Sequence, residues 1–99
     1  MAKKIVKVLL ESKKRMTDKK GRHWLGNNPG SEKATSFRKT KNIVTLKSQP
    51  KKLRTRTERH EYIEWQKEKQ GKSYPVSHKI ALKKEKKPIK GVKFVERKS

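Results

Sequence analysis

The sequence contains no cysteine, which excludes disulfide bonds and zinc sites built from thiolates. It also has few large apolar residues, since Leu, Ile, Val and Phe together account for only 19 of the 99 positions. Chains with so little apolar content and a high net charge are usually disordered on their own. We therefore expect a chain without a self-sufficient core over its full length, partly disordered when free, and not a large enzyme with a deep pocket.

Long apolar runs are also missing. No stretch approaches the roughly 18 consecutive apolar residues that mark a membrane-spanning helix. The run 5–10 near the N-terminus is interrupted by Lys7 and is followed by no small-residue cleavage site. We expect neither a secretory signal nor a membrane partner.

Acidic residues are scarce: 9 Asp or Glu stand against 31 Lys or Arg, for a formal net charge of +22. A chain with this charge repels itself and becomes compact most readily beside a polyanion. Nucleic acid fits best, because cations that replace counterions condensed on phosphates gain free energy by releasing them. Lysines outnumber arginines 24 to 7, which favours neutralisation of the backbone over the reading of bases.

The few acids are concentrated in one place. Residues 58–71 have a net charge of −1, whereas 1–30, 31–57 and 72–99 have net charges of +7, +8 and +8. This acidic segment also predicts a helix over about 56–70, with Thr55 and Glu58 as a capping box and Gly71 as a left-handed C-terminal cap. Four glutamates recur on it at helical spacing, and we predict that they face solvent or a neighbouring basic protein: Glu58, Glu61, Glu64 and Glu68.

Three short segments have the composition of strands. Residues 5–10 alternate Val6, Val8 and Leu10 with Ile5, Lys7 and Leu9, 42–48 is rich in β-branched residues, and 92–96 follows a glycine. The predicted fold class is a small α+β module, with two or three short strands, one helix over about 56–70 and long basic extended arms. Its order of strands cannot be derived from the sequence.

The predicted organisation follows the same segments. We expect an N-terminal strand in 1–11, a basic loop or arm in 12–41, a strand plus helix in 42–71, and a basic C-terminal extension in 72–99 with a short strand at 92–96. Turn-forming residues are dense around Gly26–Gly30. The stretch 72–90 combines a Tyr-Pro step with a lysine run and predicts an extended arm.

Basic residues in irregular segments, with isolated aromatics among them, suit folded RNA better than a regular duplex. Trp24 is either a stacking contact with RNA or an anchor against protein, whereas Trp65 is predicted to belong to the core. The predicted RNA-binding residues are Lys13, Lys14, Arg15, Lys19, Lys20, Arg22, Trp24, Arg38, Lys39, Lys41, Lys51, Lys52, Arg54, Arg56, Lys83, Lys84, Lys86 and Lys87.

Catalytic and metal chemistry are not indicated. His23, His60 and His78 are separated by 37 and 18 residues, which matches no familiar metal-ligand spacing. Serines and threonines accompany no arrangement of His and Asp that would activate a nucleophile. We expect no enzyme activity, no cofactor, no metal and no small-molecule substrate.

The Met-Ala-Lys-Lys start, the lysine-dominated charge and the long basic arms resemble small ribosomal proteins as a class. Locally, Lys3-Lys-Ile-Val-Lys-Val-Leu-Leu, Thr40-Lys-Asn and Pro50-Lys-Lys-Leu are similar to the zinc-free form of the bacterial large-subunit ribosomal protein family numbered thirty-three. The class resemblance implies a structural constituent of the ribosome. Its partners would be ribosomal RNA and neighbouring ribosomal proteins.

The expected function is therefore to bind and neutralise ribosomal RNA phosphates, in the large subunit rather than the small one. A cytoplasmic ribosome is the expected location, and an organellar ribosome stays open. One alternative is a free-standing histone-like or viral protein that compacts nucleic acid. A further alternative is a cationic membrane-active protein or a protein-interaction adaptor.

Overall fold

In the computed structural model, described here over residues 4–11, 16–17, 23–24, 26–28 and 42–98, a small sheet is covered by two helices. The strands are β1 (Lys4–Glu11), β2 (Met16–Thr17), β3 (His23–Trp24), β4 (Gly26–Asn27), β5 (Ile43–Leu46) and β6 (Val92–Lys98). The helices are α1 (Lys51–Lys69) and α2 (Tyr74–Lys84). This confirms the small α+β class. The single predicted helix is wrong, because the described residues form two.

The main sheet has the order β4-β5-β1-β6, with β1 parallel to both β5 and β6 and β4 antiparallel to β5. The pairing begins with Lys4 opposite Val92 on one side of β1 and with Val8 opposite Ile43 on the other. A parallel connection needs a crossover, and α1 with α2 supplies it between β5 and β6. β2 and β3 form a separate antiparallel pair.

The core lies between the sheet and the helices. Val6 and Val8 of β1 are buried while Ile5 and Lys7 are exposed, which confirms the predicted alternation. Val6, Val8, Ile43 and Tyr62 form the buried cluster, against which Trp65, Ile89, Val92 and Phe94 pack. Trp65 is thus a core residue, as predicted. The predicted strands 42–48 and 92–96 correspond to β5 and β6.

The start of α1 differs from the prediction. The helix begins at Lys51, so it is about one turn longer at this end than the predicted start at about 56. Pro50 directly precedes it and cannot donate a backbone hydrogen bond, which suits a residue at the start of a helix. Thr55 lies inside the helix and its hydroxyl donates to the Lys51 carbonyl at 3.0 Å. The capping box of Thr55 and Glu58 is therefore wrong.

The end of α1 agrees with the prediction. Gly71 has a φ of 91°, a left-handed conformation that costs glycine little. The Gly71 N–H donates to the Glu68 carbonyl at 3.0 Å and the Lys72 N–H to the Lys67 carbonyl at 3.1 Å. These two bonds satisfy the last helical carbonyls and turn the chain toward α2.

The extended arm predicted for 72–90 is wrong, because α2 occupies its first half. Pro75 lies in the first turn of α2, where its fixed φ favours a helix and its missing N–H costs nothing. The small residues Ser77 and Ala81, one turn apart, are fully buried and permit close packing against α1. Lys83 and Lys84 lie in the last turn, where the helix dipole favours positive charge. The lysine run favoured the prediction of an arm, but its first two residues instead end a helix.

Part of the predicted loop 12–41 joins the main sheet. Gly26 and Asn27, predicted to form a turn, are strand β4, which pairs with Thr45 and Val44 of β5. A Cβ added at Gly26 would lie 2.6 Å from Thr57 Cγ2 and 2.9 Å from Glu61 Cγ of α1. Only glycine lets β4 approach the helix this closely. The remainder of 12–41 lies outside the described residues, apart from β2, β3 and Asn28.

We predict that Gly26→Ala lowers the free energy of unfolding by about 1–3 kcal/mol, since overpacking forces β4 and α1 apart. Chemical denaturation followed by far-UV circular dichroism measures this. The matched glycine variant is Gly71→Asn, at a position with no atom within 4 Å of the added Cβ, where asparagine tolerates the left-handed conformation. It should cost less than about 1 kcal/mol. Equal losses for the two variants would contradict the packing of β4 on α1.

Candidate functional site

The glutamates of α1 lie on its inner side. Glu58, Glu61 and Glu64 are 3%, 7% and 3% exposed, and Glu68 is half-buried. The prediction that they face solvent or a neighbouring basic protein is therefore wrong for Glu58, Glu61 and Glu64. Their regular spacing does place them near one face of the helix, but that face packs against the rest of the fold. Helical periodicity identifies a face without telling which neighbour covers it.

Glu58 lies beside Glu96 of β6, in a small network of charges. Arg54 Nε donates to Glu96 Oε2 at 2.8 Å, and Lys51 Nζ to Glu96 Oε1 at 2.6 Å. Arg54, with its hydrogen bond the largest cause, holds the pKa of Glu96 low, at about 2. Burial, followed by the hydrogen bond with Glu96, raises the pKa of Glu58 to about 8. One proton thus resides on Glu58 at neutral pH, and Glu96 carries the negative charge.

Glu61 and Glu64 meet the amide of Asn28, which follows β4 and is 1% exposed. Asn28 Nδ2 donates to Glu61 Oε1 at 2.9 Å and to Glu64 Oε1 at 3.4 Å. Burial raises the pKa of Glu61 to about 8, with the Glu64 charge acting in the same direction and Asn28 against it. Glu61 is therefore also protonated at neutral pH, which removes most of the cost of burying its carboxyl.

The described surface is consequently rich in positive charge. Within the described ranges, every Asp or Glu is buried or half-buried, and among the exposed bases Lys51 pairs with Glu96 and Arg56 with Glu85. The exposed basic residues of these ranges are Lys4, Lys7, Lys47, Lys51, Lys52, Arg56, Lys69, Lys72, Lys79, Lys83, Lys84, Lys86, Lys87, Lys90, Lys93 and Arg97. In the described part of the chain, the carboxyl groups are buried or half-buried and most basic side chains are exposed.

A groove of about 530 Å³ opens between α1 and the end of α2, and its rim carries lysines. Tyr62, Ile63, Pro88 and Ile89 give it an apolar floor. The other residues that line it are Gln66, Lys67, Lys83, Lys84 and Lys87. An apolar floor inside a cationic rim can accept a base or sugar while the rim neutralises phosphates. We call it the lysine-rimmed groove.

Among the predicted RNA-binding residues, the described lysines are accessible and one arginine is not. Lys51, Lys52, Lys83, Lys84, Lys86 and Lys87 are exposed. Arg54 is half-buried and bonded both to Glu96 and, through Nη1 at 2.9 Å, to the Gln49 carbonyl, so it is less accessible than these lysines and its contact with RNA stays a prediction. Arg56 is exposed and lies 3.6 Å from Glu85 Oε2.

The other predicted RNA-binding residues cannot be placed. Lys13, Lys14, Arg15, Lys19, Lys20, Arg22, Arg38, Lys39 and Lys41 lie outside the described residues. The backbone of Trp24 belongs to β3, but its side chain is outside the description, so both interpretations of Trp24 stay predictions. Lys67 in the groove was missed, since it lies in the segment of negative net charge.

A second group of residues escaped the sequence reasoning altogether. His60 Nε2 lies 2.9 Å from Glu64 Oε2, and His78 Nδ1 lies 3.0 Å from the same oxygen. The two ring nitrogens are 3.1 Å apart. We call His60, Glu64 and His78 the histidine–carboxylate cluster. The spacing of His60 and Glu64, one helical turn, was the available signal, but His78 joins them only because α2 folds back on α1.

The cluster has further partners. Glu85 Oε1 lies 3.4 Å from His60 Nδ1, the ring nitrogen that faces away from Glu64. Burial lowers the pKa of His60, but the hydrogen bond with Glu64 and the charges of Glu61, Glu64 and Glu85 together outweigh it and raise that pKa. Two histidines and a carboxylate are a donor set that can hold a divalent metal ion.

Comparisons with protein-family models, with curated proteins and with solved structures find no match for this chain. Neither helix in the described part of the chain has the length and apolar content needed to cross a lipid bilayer.

We predict that stability falls as the pH rises from about 5 to about 8.5. Glu58 and Glu61 keep their protons up to a pKa of about 8 in the folded state, against about 4.5 when unfolded. Because the folded chain binds more protons in this window, raising the pH favours unfolding, by on the order of a few kcal/mol. His60, whose folded pKa is raised, acts in the same direction. Below about pH 4.5, the low pKa of Glu96 reverses the trend.

Urea denaturation at constant ionic strength measures this dependence. Glu61→Gln keeps the shape of the side chain and removes its titration, so the decline between the two pH values should shrink by roughly half. Glu11→Gln, which changes a half-buried carboxyl on β1 outside the group of α1 glutamates, should keep the wild-type decline. Wild-type stability that rises over this interval would contradict the buried, protonated glutamates.

Proposed function

We propose that this protein is a non-catalytic, structural RNA-binding protein that neutralises the phosphates of ribosomal RNA as a constituent of the ribosome, in the large subunit. The observation that carries the proposal is the segregation of charge. Every described carboxyl group is buried or half-buried, while sixteen described lysines and arginines are exposed. The described surface therefore attracts a polyanion and presents no fully exposed carboxyl group to a substrate.

The energetics favour RNA phosphates as the partner. Each cation that neutralises a phosphate releases part of the condensed counterion atmosphere, and this release drives binding at moderate salt. The negative charge of the bound phosphates also relieves the self-repulsion of a chain with a net charge of +22. RNA binding therefore stabilises the fold and supplies affinity at once.

The lysine-rimmed groove is the preferred point of contact. Lys83, Lys84 and Lys87 lie around an apolar floor, and α2 ends among them. Its size admits one nucleotide unit, with the base or sugar on the floor and the phosphates at the rim. Lysine contacts of this kind position RNA without selecting its sequence, which suits a structural role.

The ribosome is proposed as the assembly because of the class resemblance stated above. Irregular basic segments that acquire order on RNA are characteristic of that class. The cost of ordering them is offset by the contact itself. A protein that compacts nucleic acid in isolation would share the charge, so the experiments have to separate the two.

We predict that the triple variant Lys83→Gln, Lys84→Gln, Lys87→Gln weakens RNA binding more than the loss of three positive charges elsewhere on the surface does. The slope of log Kd against log salt should fall in magnitude by about 2–3, because about three phosphate contacts disappear. Fluorescence anisotropy with a labelled fragment of folded ribosomal RNA, at several salt concentrations, measures both affinity and slope.

The matched control removes the same charge elsewhere. Lys7, Lys47 and Lys93 are exposed residues of β1, of the turn after β5 and of β6, and their triple change to glutamine should alter the slope by less than about 1. Equal effects of the two triple variants would show diffuse binding and contradict the groove. Affinity without any salt dependence would contradict phosphate neutralisation itself.

The choice of the ribosome has its own test. When a tagged chain is expressed in cells, it should sediment with the large ribosomal subunit in gradients that preserve ribosomes. Nuclease that degrades only DNA should leave this profile unchanged. Sedimentation with bulk DNA would instead favour the free-standing nucleic-acid-compacting protein.

A further inference from the structure

The histidine–carboxylate cluster brings three potential metal-ligand atoms into mutual contact. These atoms form a nearly equilateral triangle, with edges of 2.9, 3.0 and 3.1 Å.

A cation above the plane of the triangle can be bound by all three atoms at once. All three atoms then present lone pairs to the same point, and no proton is needed between them. With edges near 3 Å, the triangle's centre is about 1.7 Å from each atom, so an ion at the usual zinc distance of ~2.0–2.1 Å lies about 1 Å above the plane. The side chains would have to move apart only slightly to reach tetrahedral spacing.

The surroundings of the cluster orient its members as metal ligands. Glu85 Oε1 lies 3.4 Å from His60 Nδ1. An acceptor at this position favours the tautomer with the proton on Nδ1, which leaves the lone pair of Nε2 free for the cluster. Asn28 Nδ2 donates to Glu64 Oε1 at 3.4 Å, so that Oε2 is the oxygen directed at the histidines. The His78 ring is backed by Tyr74, with ring centroids 5.5 Å apart.

The exposure of the cluster matches a site with an entry path. The side chains of His60 and Glu64 are 11% and 3% exposed, whereas that of His78 is 37% exposed. An ion can therefore reach the buried ligands past His78, and a water molecule can occupy its fourth position. Nitrogen and oxygen donors in this number suit Zn²⁺, and they are unsuited to Mg²⁺ or Ca²⁺, which prefer oxygen alone.

We propose that His60, Glu64 and His78 bind one Zn²⁺ ion that links α1 to α2, with Glu85 positioning His60. The ion would join two helices that the small apolar core holds only weakly. Binding free energy at a site absent from the unfolded chain becomes folding free energy. The site is independent of the proposed RNA contact, because none of its three ligands lines the lysine-rimmed groove.

The test begins with the full-length chain, stripped of metal with a chelator. Titration with Zn²⁺ in competition with a chromophoric chelator should show one high-affinity equivalent per chain, and thermal unfolding should shift to higher temperature. Co²⁺ in place of Zn²⁺ should give the visible absorption bands of a four-coordinate ion with nitrogen and oxygen ligands. No change in unfolding temperature on adding Zn²⁺ to the metal-free chain would overturn the proposal.

Variants assign the ligands. His78→Ala and Glu64→Gln should weaken Zn²⁺ binding by at least ~100-fold, and Glu85→Gln by ~10–100-fold, as expected of an orienting residue. The controls Lys79→Ala, an exposed neighbour of His78, and Glu11→Gln, a carboxyl on β1, should bind Zn²⁺ like the wild type. Unchanged binding in His78→Ala would overturn the assignment.

A measurement on the wild-type chain covers variants that do not fold. Imidazole nitrogen NMR should show Zn²⁺ shifting Nε2 of His60 and Nδ1 of His78, with His23 as the internal reference. Shifts confined to His23, or equal at all three histidines, would overturn the proposal. RNA affinity measured in parallel keeps the two proposals distinct, since loss of Zn²⁺ binding with intact RNA binding refutes one and leaves the other standing.

Discussion

The rest of the structure depends on where the carboxyl groups are placed. An exposed acidic face on α1 would offset much of the positive charge of the described surface. The fold instead brings Glu58, Glu61 and Glu64 beneath the helix, where protonation, Arg54 beside Glu96, and the Asn28 amide limit the cost of burying them. As a result, the exposed charged residues of the described surface are lysines and arginines. Buried carboxyl groups and a basic described surface are thus two consequences of one arrangement.

The packing of α2 against α1 forms both candidate sites, the lysine-rimmed groove and the histidine–carboxylate cluster. Gly71 ends the first helix and turns the chain, and Ser77 and Ala81 let the second helix approach closely. The close approach creates the lysine-rimmed groove near one end of the pair and the histidine–carboxylate cluster between the helices. A small apolar core makes a metal link between the helices more valuable than it would be in a larger domain.

Sequence reasoning succeeded where the deciding interactions are local. The alternation in β1, the left-handed conformation of Gly71 and the core position of Trp65 each follow from short-range pattern or residue chemistry. It failed at Thr55, because a capping motif also occurs inside a helix whose true start is fixed by Pro50. It failed over 72–90 because a lysine run was given more weight than Pro75 and the paired small residues that follow it.

By itself, the sequence determined the large positive charge, the absence of thiolate chemistry, the small α+β class and the strand periodicities, since these depend on composition and near neighbours. The tertiary structure alone decided that β1 lies between β5 and β6, that the glutamates of α1 face inward, and that His60 meets His78. Periodicity groups residues on a face, but which face is covered depends on contacts between residues distant in the chain. The net charge is the same however the chain folds, whereas its distribution between surface and interior exists only once the fold has formed.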